Sequence, residues 1–400
     1  MIIPSISDYI FHSRARAEKD WDCQRSRYYE YDYQGGIQKD ILALELFVGS
    51  CIHDALSAIA TQYSGGKVVD IDSIASTAGS LVHDTLFEHH GLEGPVPLSA
   101  GWLIMMEQST LVECLIRGYY RLVWPNLIKQ YSIVIDCETE TIYPHDHDGL
   151  FNKKGPFVYM AKPDLLLSNG QDIVYIEYKS TGNKKAEWIN SWNSAIQVHG
   201  SVKAAEFTYK QSASGFGVLG AIVQGFYKGY TSYGKYSSPL VYAYAGKGNP
   251  PFNKPIISYE YKAGLKRTPV WELPGSAKSY IASMPDELLS EQFPQTPLIF
   301  LNESMCETFF RQRALREAKV TEVVPILKDP LSQLSIRLRV LDEFFPQSFN
   351  KCSPAYGYEC KFKSICHNPS ATDNPLQHGY LQKDRSHETP YYDLAAKLLL

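Results

Sequence analysis

The chain has 400 residues, 44% of them hydrophobic and 20% charged, and a formal net charge of -4 at pH 7. That composition excludes a disordered or collagen-like chain and supports a large packed core. It also excludes nucleic-acid binding through overall charge, so such binding has to rest on local patches of Lys and Arg.

Met1 to Asp22 has no apolar stretch followed by a small-residue cleavage site, so no signal peptide is expected. Ile41 to Ala60 carries apolar residues at helical spacing; Glu45, His53 and Asp54 within it make it a buried helix and a poor membrane span. A soluble, cytoplasmic protein without a membrane partner is expected, in the host cytoplasm if the chain is phage-encoded. A second helix is predicted over about Ser73 to Glu88. A third runs over Gly101 to Lys129, with Pro125 kinking or ending it. The period then changes: Tyr131 to Ile142, Phe157 to Leu167 and Ile173 to Ser180 are short runs rich in Val, Ile, Leu and Tyr, predicted as strands. Trp188 to Tyr209 returns to a helical pattern, and Gly217 to Tyr227 is a further strand. The order is helix, three strands, helix, strand, of the α/β class. Leu240 to Tyr244 and Ile256 to Tyr261 are expected to extend the sheet, and Glu303 to Lys319 and Pro330 to Phe345 to form helices. No internal repeat and no P-loop occurs, so helicase activity would have to come from a partner.

The most informative segment is Ala161 to Ser180. Asn169-Gly170 between two apolar runs is a hairpin turn signal. If those two residues occupy the turn, Ser168 faces Gln171, Asp164 faces Tyr175 and Lys162 faces Glu177. Directly paired residues share a face, as do residues two apart, so Asp164, Glu177 and Lys179 converge on one side of the sheet. Two carboxylates so placed can hold a hard divalent cation, and an ammonium beside them can orient a water or stabilise developing charge. The backbone carbonyl of Tyr178 is a further candidate ligand. The plainer reading is a structural Glu-Lys pair in an apolar strand.

Pro163-Asp164 followed by Glu177-Tyr178-Lys179, within that element order, resembles the PD-(D/E)XK nucleases. The resemblance implies a restriction-endonuclease-like core with a mixed sheet, magnesium or manganese held by Asp164 and Glu177, and activation of the attacking water by Lys179. The RecB-like branch adds a His on the helix before the strands and a Gln on the helix after them. His53 in Gly49-Ser-Cys-Ile-His53 is similar to the first and is preferred over His83 in Gly79-Ser-Leu-Val-His83; a satisfied core His is the alternative for either. Gln197 stands in the place of the family's Gln. Ser201 replaces the Tyr often found four residues later, which puts an aromatic DNA contact there in doubt. Glu138 or Glu140 could present another carboxylate, and alternation does not decide between them.

Cys51, Cys114, Cys137 and Cys306 lie singly in apolar patterns and read as core. Cys23 near the start and Cys352, Cys360 and Cys366 near the end, spaced Cys-x7-Cys-x5-Cys, suggest metal thiolate ligation in an intracellular protein. Four thiolates fit zinc or an iron-sulfur cluster. The bracket is similar to AddB-type nuclease domains and CRISPR-associated iron-sulfur exonucleases, a resemblance that implies a 4Fe-4S cluster.

The expected organisation is an N-terminal segment over 1–36, a nuclease core over 37–230 with a helical insertion at about 64–130, unassigned strands and helices over 231–349, and a Cys-rich tail over 350–400. Basic patches at Arg14, Arg16, Lys19, Arg25 and Arg27, at Lys184-Lys185, and at Arg311, Arg313, Arg316 and Lys319 are candidates for DNA contact, or ordinary solvated faces. Arg25, Arg27, Lys361 and Lys363 flank the four cysteines and could line a path for a strand; Tyr28 and Tyr29 could stack on bases or pack in the core. The expected function is a DNA exonuclease acting on single-stranded or end-containing DNA in recombination, repair or phage DNA processing, with a helicase or recombinase as possible partner. The alternatives are an endonuclease of the same fold, a non-catalytic DNA-binding subunit, and an unrelated enzyme carrying a zinc interaction module.

Overall fold

The computed structural model describes residues 10–39, 44–89, 100–145, 157–181, 186–211, 217–228, 242–244, 257–260, 268–271, 277–352, 360–368, 371–372 and 374–399. The chain opens with β1 (Ile10–Ser13), α1 (Arg14–Asp22) and α2 (Gln24–Arg27). Ser13 starts α1 by accepting the Arg16 N–H on its hydroxyl, satisfying one of the helix's free donors. A tyrosine-rich turn leads to β2 (Ile37–Lys39), followed by the helices α3 (Leu44–Ser64), α4 (Ile71–His89), α5 (Ala100–Gly118) and α6 (Trp124–Gln130). The single helix expected over Gly101 to Lys129 is thus two, separated by a wide turn at Tyr119–Val123. Pro125 sits in the first turn of α6, where its missing N–H leaves no bond unmade.

The strands β3 (Ile133–Cys137), β4 (Thr141–His145), β5 (Phe157–Ala161), β6 (Leu165–Ser168) and β7 (Asp172–Thr181) follow. Next come α7 (Ala186–Ser191), α8 (Ile196–Gln211), β8 (Gly217–Tyr227), β9 (Tyr242–Tyr244), β10 (Ile257–Glu260) and β11 (Thr268–Trp271). The remainder comprises α9 (Ala277–Ser283), α10 (Asp286–Ser290), β12 (Ile299–Phe300), α11 (Glu303–Lys328), α12 (Leu334–Phe344), α13 (Phe349–Cys352), α14 (Lys363–Cys366), β13 (Tyr380–Gln382) and α15 (Thr389–Leu399).

Two of the expected strands are each broken in the middle. Tyr131 to Ile142 becomes β3 and β4, and Phe157 to Leu167 becomes β5 and β6. Glu138 has a left-handed backbone (φ 52°), and Pro163 has no N–H for a ladder, so neither strand runs through. The halves join different sheets: β3 and β6 belong to a mixed five-stranded sheet of order β12-β8-β7-β6-β3, β4 and β5 to a three-stranded sheet of order β1-β5-β4. Within the larger sheet β7 and β8 are parallel and α8 connects them. β9, β10 and β11 form a sheet of their own and do not extend the larger one as expected.

Alternation along β6 and β7 gives the larger sheet two apolar faces. Leu165, Leu167, Val174, Ile176 and Tyr178 pack into the core made by α3, α4 and α5, which Ala277 to Phe293 also enter. Leu166, Ile173 and Tyr175 pack on Val198, Val202 and Ala205 of α8. The long helix α11 joins two regions: Cys306, Phe309 and Phe310 pack beside β5 and α8, while Val320, Val323 and Leu327 enter a core with Tyr28, Tyr29, Phe345, Phe362 and Ile365. No described helix is long and apolar enough to cross a membrane.

Arg25 and Arg27 of the basic patch near the start are buried, and Arg16 and Lys19 are partly so. Arg27 is fully buried and faces Glu317 at 2.8 Å, Asp20 at 3.2 Å and Asp32 at 3.2 Å. Arg313 and Arg316 reach Asp20 at 2.6 and 3.3 Å, and Arg16 pairs with Asp32. Arg25 is buried as well, donating to the Phe345 carbonyl at 2.8 Å and pairing with Asp342. These cations answer acids inside the fold, since unpaired burial would be far more costly than exposure. Arg311 and Lys319 are exposed, and Lys184 and Lys185 lie outside the described residues.

Candidate metal centre and cysteine frame

The hairpin between β6 and β7 is wider than Asn169-Gly170 alone suggests. Asn169 Oδ1 accepts the N–H groups of Gln171 and Asp172, both at 2.9 Å, and the Asn169 N–H meets the Asp172 carbonyl. This side-chain turn takes four residues, with Gly170 at φ 92°. Leu166 therefore faces Tyr175 and Leu165 faces Ile176, a shift of two positions from the expected register. A shift of two preserves the face. Continuing the ladder one residue sets Asp164 opposite Glu177.

Asp164 lies in the break between β5 and β6, and Glu138 in the break between β3 and β4; the Glu138 N–H donates to the Asp164 carbonyl at 3.2 Å. The two acids therefore sit where the two sheets part. His53, on α3, places Nδ1 3.1 Å from Asp164 Oδ1. One ligand atom each from His53, Glu138 and Asp164 lie within 4.8 Å of one another, and all three side chains are partly buried. An imidazole nitrogen and two carboxylate oxygens on a partly sheltered ledge suit manganese well, and magnesium with waters completing its shell. Burial works against charge on His53, but the hydrogen bond and charge of Asp164 outweigh it and hold the imidazole above its ordinary value.

Glu177 is 1% exposed and its carboxylate is ion-paired with the Lys179 ammonium, two residues further along β7. Tyr178, between them, turns its ring to the other face, where its hydroxyl bonds Tyr119 at 2.8 Å; its N–H donates to Asp164 Oδ2 at 2.6 Å. Lys162 reaches over Glu138 at 2.9 Å. His83 is elsewhere, on α4, against Asp84 at 2.9 Å. Gln197, in the first turn of α8, lines an open cleft together with Trp21 and Asn302. Glu138, which alternation could not separate from Glu140, is the acid that joins His53 and Asp164; its left-handed backbone is why alternation fails there.

Cys23, Cys352, Cys360 and Cys366 meet in space. Burial pushes the Cys366 thiol up to about 12, and Cys360, Cys23 and Cys352 add to the rise; burial, then Cys360 and Cys23, raise Cys352. The Cys360 N–H donates to the Cys352 carbonyl at 3.4 Å. Four thiols gathered in this way suit either zinc or an iron-sulfur cluster. Tyr28 and Tyr29 are both buried beneath this frame, in the core rather than exposed to bases. Lys361 faces Glu30 at 3.2 Å and lies over the Phe362 ring. Of the other cysteines, Cys51, Cys114 and Cys306 are buried, and Cys137 is half-buried beside Ser57 and Thr61.

No known family model matches this chain, and no curated protein matches it.

Proposed function

We propose that this chain is a metal-dependent DNA nuclease of the PD-(D/E)XK type, with an iron-sulfur cluster on its four-cysteine frame. The observation that carries this reading is the junction of His53, Glu138 and Asp164 beside the Glu177–Lys179 pair, built on a helix, three antiparallel strands, a crossover helix and a parallel strand. In this reading His53, Glu138 and Asp164, with Glu177 and the Tyr178 carbonyl, hold magnesium or manganese, which supplies charge to a phosphoryl oxygen and acidity to water. Lys179 orients the attacking water; Glu177, buried beside it, keeps that ammonium in place. As the water oxygen bonds to phosphorus it gives up a proton to solvent, the phosphorus–ester oxygen bond breaks, and the leaving oxygen takes a proton from solvent, while the Lys179 ammonium beside the site balances the developing negative charge.

We further propose that it acts as an exonuclease on single-stranded or end-containing DNA in repair, recombination or phage DNA processing, fed by a helicase or recombinase. The test is incubation of the pure chain with magnesium or manganese and either end-labelled linear or closed circular DNA. Degradation of linear DNA alone, lost in Glu177→Ala, is expected. Nicking of circles would make the chain an endonuclease. Absence of any cleavage, or cleavage unchanged in Glu177→Ala, would overturn the reading.

A further inference from the structure

Three helices line an open cleft of about 930 Å³. Its first wall is the end of α1, with Trp21. Its second is α11, where Met305, Thr308, Phe309 and Gln312 recur three and four residues apart and so form one stripe. Its third is the first turn of α8, with Gln197. Because α8 links the parallel strands β7 and β8, it must start at the carboxyl end of β7, the end that carries Glu177 and Lys179. The cleft therefore opens at the same end of the sheet as the acids.

Trp21 is 51% exposed, which is unusual for so large an aromatic ring. It is nevertheless fixed. Phe309 meets it edge-on with ring centroids 5.3 Å apart, and the Arg313 guanidinium lies 5.1 Å from its centre. Arg313 is itself held by Asp20 at 2.6 Å. An indole braced in this way presents flat apolar area at little entropic cost. Around it the walls offer neutral amide and hydroxyl groups, and the carboxylates of Glu18 and Asp22 make the cleft a poor host for phosphate. That chemistry suits the uncharged, planar part of a nucleotide.

We infer that this cleft is a nucleobase subsite, in which Trp21 stacks on an unpaired base of single-stranded DNA while the sugar-phosphate chain passes the acids. The inference rests on the nuclease reading and adds to it a preference for unpaired bases, because a base inside a duplex has no free face to offer. Thr308, Gln312 and Gln197 lie where the base's edge would meet hydrogen-bonding groups.

The experiment compares binding of short oligodeoxythymidylate with binding of an oligomer of the same length made of abasic sugars, in calcium to prevent cleavage. The whole chain should bind the base-bearing oligomer at least about tenfold more tightly. Trp21→Leu, which keeps apolar contact with Phe309 but has no flat ring, should abolish that preference, and Trp21→Phe should keep most of it. His83→Ala, on α4, should leave it unchanged. Equal binding of the two oligomers by the unaltered chain, or a full preference in Trp21→Leu, would overturn the subsite. A preference for bases in a chain that cleaves no DNA with magnesium or manganese would support the subsite and remove the nuclease reading.

Discussion

The carboxylate of Asp164 accepts the backbone N–H of Tyr178 at 2.6 Å. This bond ties the turn at Pro163-Asp164 to the residue that separates Glu177 from Lys179, so the acids of two strands are fixed by main chain as well as by side chain. Asp164→Asn keeps an oxygen for that N–H and loses the charge. Its melting temperature should change little, while cleavage should fall about 100-fold or more, as it should for Lys179→Ala. End-labelled DNA and thermal unfolding of the same preparations measure both.

His53 and His83 provide a contrast within one chain. His53→Ala should weaken manganese binding about 10- to 100-fold in calorimetric titration, because it removes the imidazole beside the two acids. His83→Ala, which alters contacts with Asp84 and Phe87 on α4, should bind manganese as the unaltered chain does.

The buried ion network sets an acid limit on stability. Burial opposes the charge on Glu317, but Arg27, Arg16 and His12 outweigh it and hold its carboxyl well below the usual range. A carboxyl depressed in the fold contributes stability that is present above its unfolded value, about 4.3, and is lost as pH falls through the folded value. Urea unfolding should therefore show stability declining below about pH 4.3. Glu317→Gln should flatten that decline and cost about 3 kcal/mol at neutral pH, because Arg27 stays buried with less counter-charge.

Iron content and colour test the cysteine frame. Anaerobically prepared protein should be brown, and Cys360→Ala should bleach it; colourless protein holding stoichiometric zinc would refute the cluster. Loss of the centre should speed amide exchange in β2 and β13, which pair beside the frame, and leave β6, β7 and β8 protected.

Two glycines of β8 should respond oppositely to alanine. A Cβ at Gly220 would lie 2.3 Å from the Ile299 carbonyl oxygen, so Gly220→Ala should push β12 away and cost about 1–3 kcal/mol. A Cβ at Gly217 meets nothing within 4 Å, and Gly217→Ala should unfold at the same temperature as the unaltered chain.

Much of the element order was legible because helical and alternating periods survive in the sequence. The antiparallel hairpin of β6 and β7 was legible too, although its register was read two positions off. Face depends on parity, and an error of two leaves parity intact. The broken strands were hidden because the polar stretches at Glu138–Thr141 and Lys162–Asp164 are short and flanked by apolar runs on both sides, and nothing in them announces a change of sheet. The fate of Arg25 and Arg27 was also hidden. Their counter-charges, Asp342 and Glu317, stand 317 and 290 residues away, and a run of cations looks the same whether it is solvated or buried.

The pairing of Ile37–Lys39 with Tyr380–Gln382, reinforced by Gln382 donating to the Gln34 carbonyl across 348 residues, has a consequence for biosynthesis. The N-terminal tyrosine cluster cannot finish folding while the ribosome is still making the partner strand. Closing so long a loop costs entropy before any contact repays it, so this should be a late event. During translation the early segment waits without the final partners of its aromatic side chains until Tyr380–Gln382 has emerged.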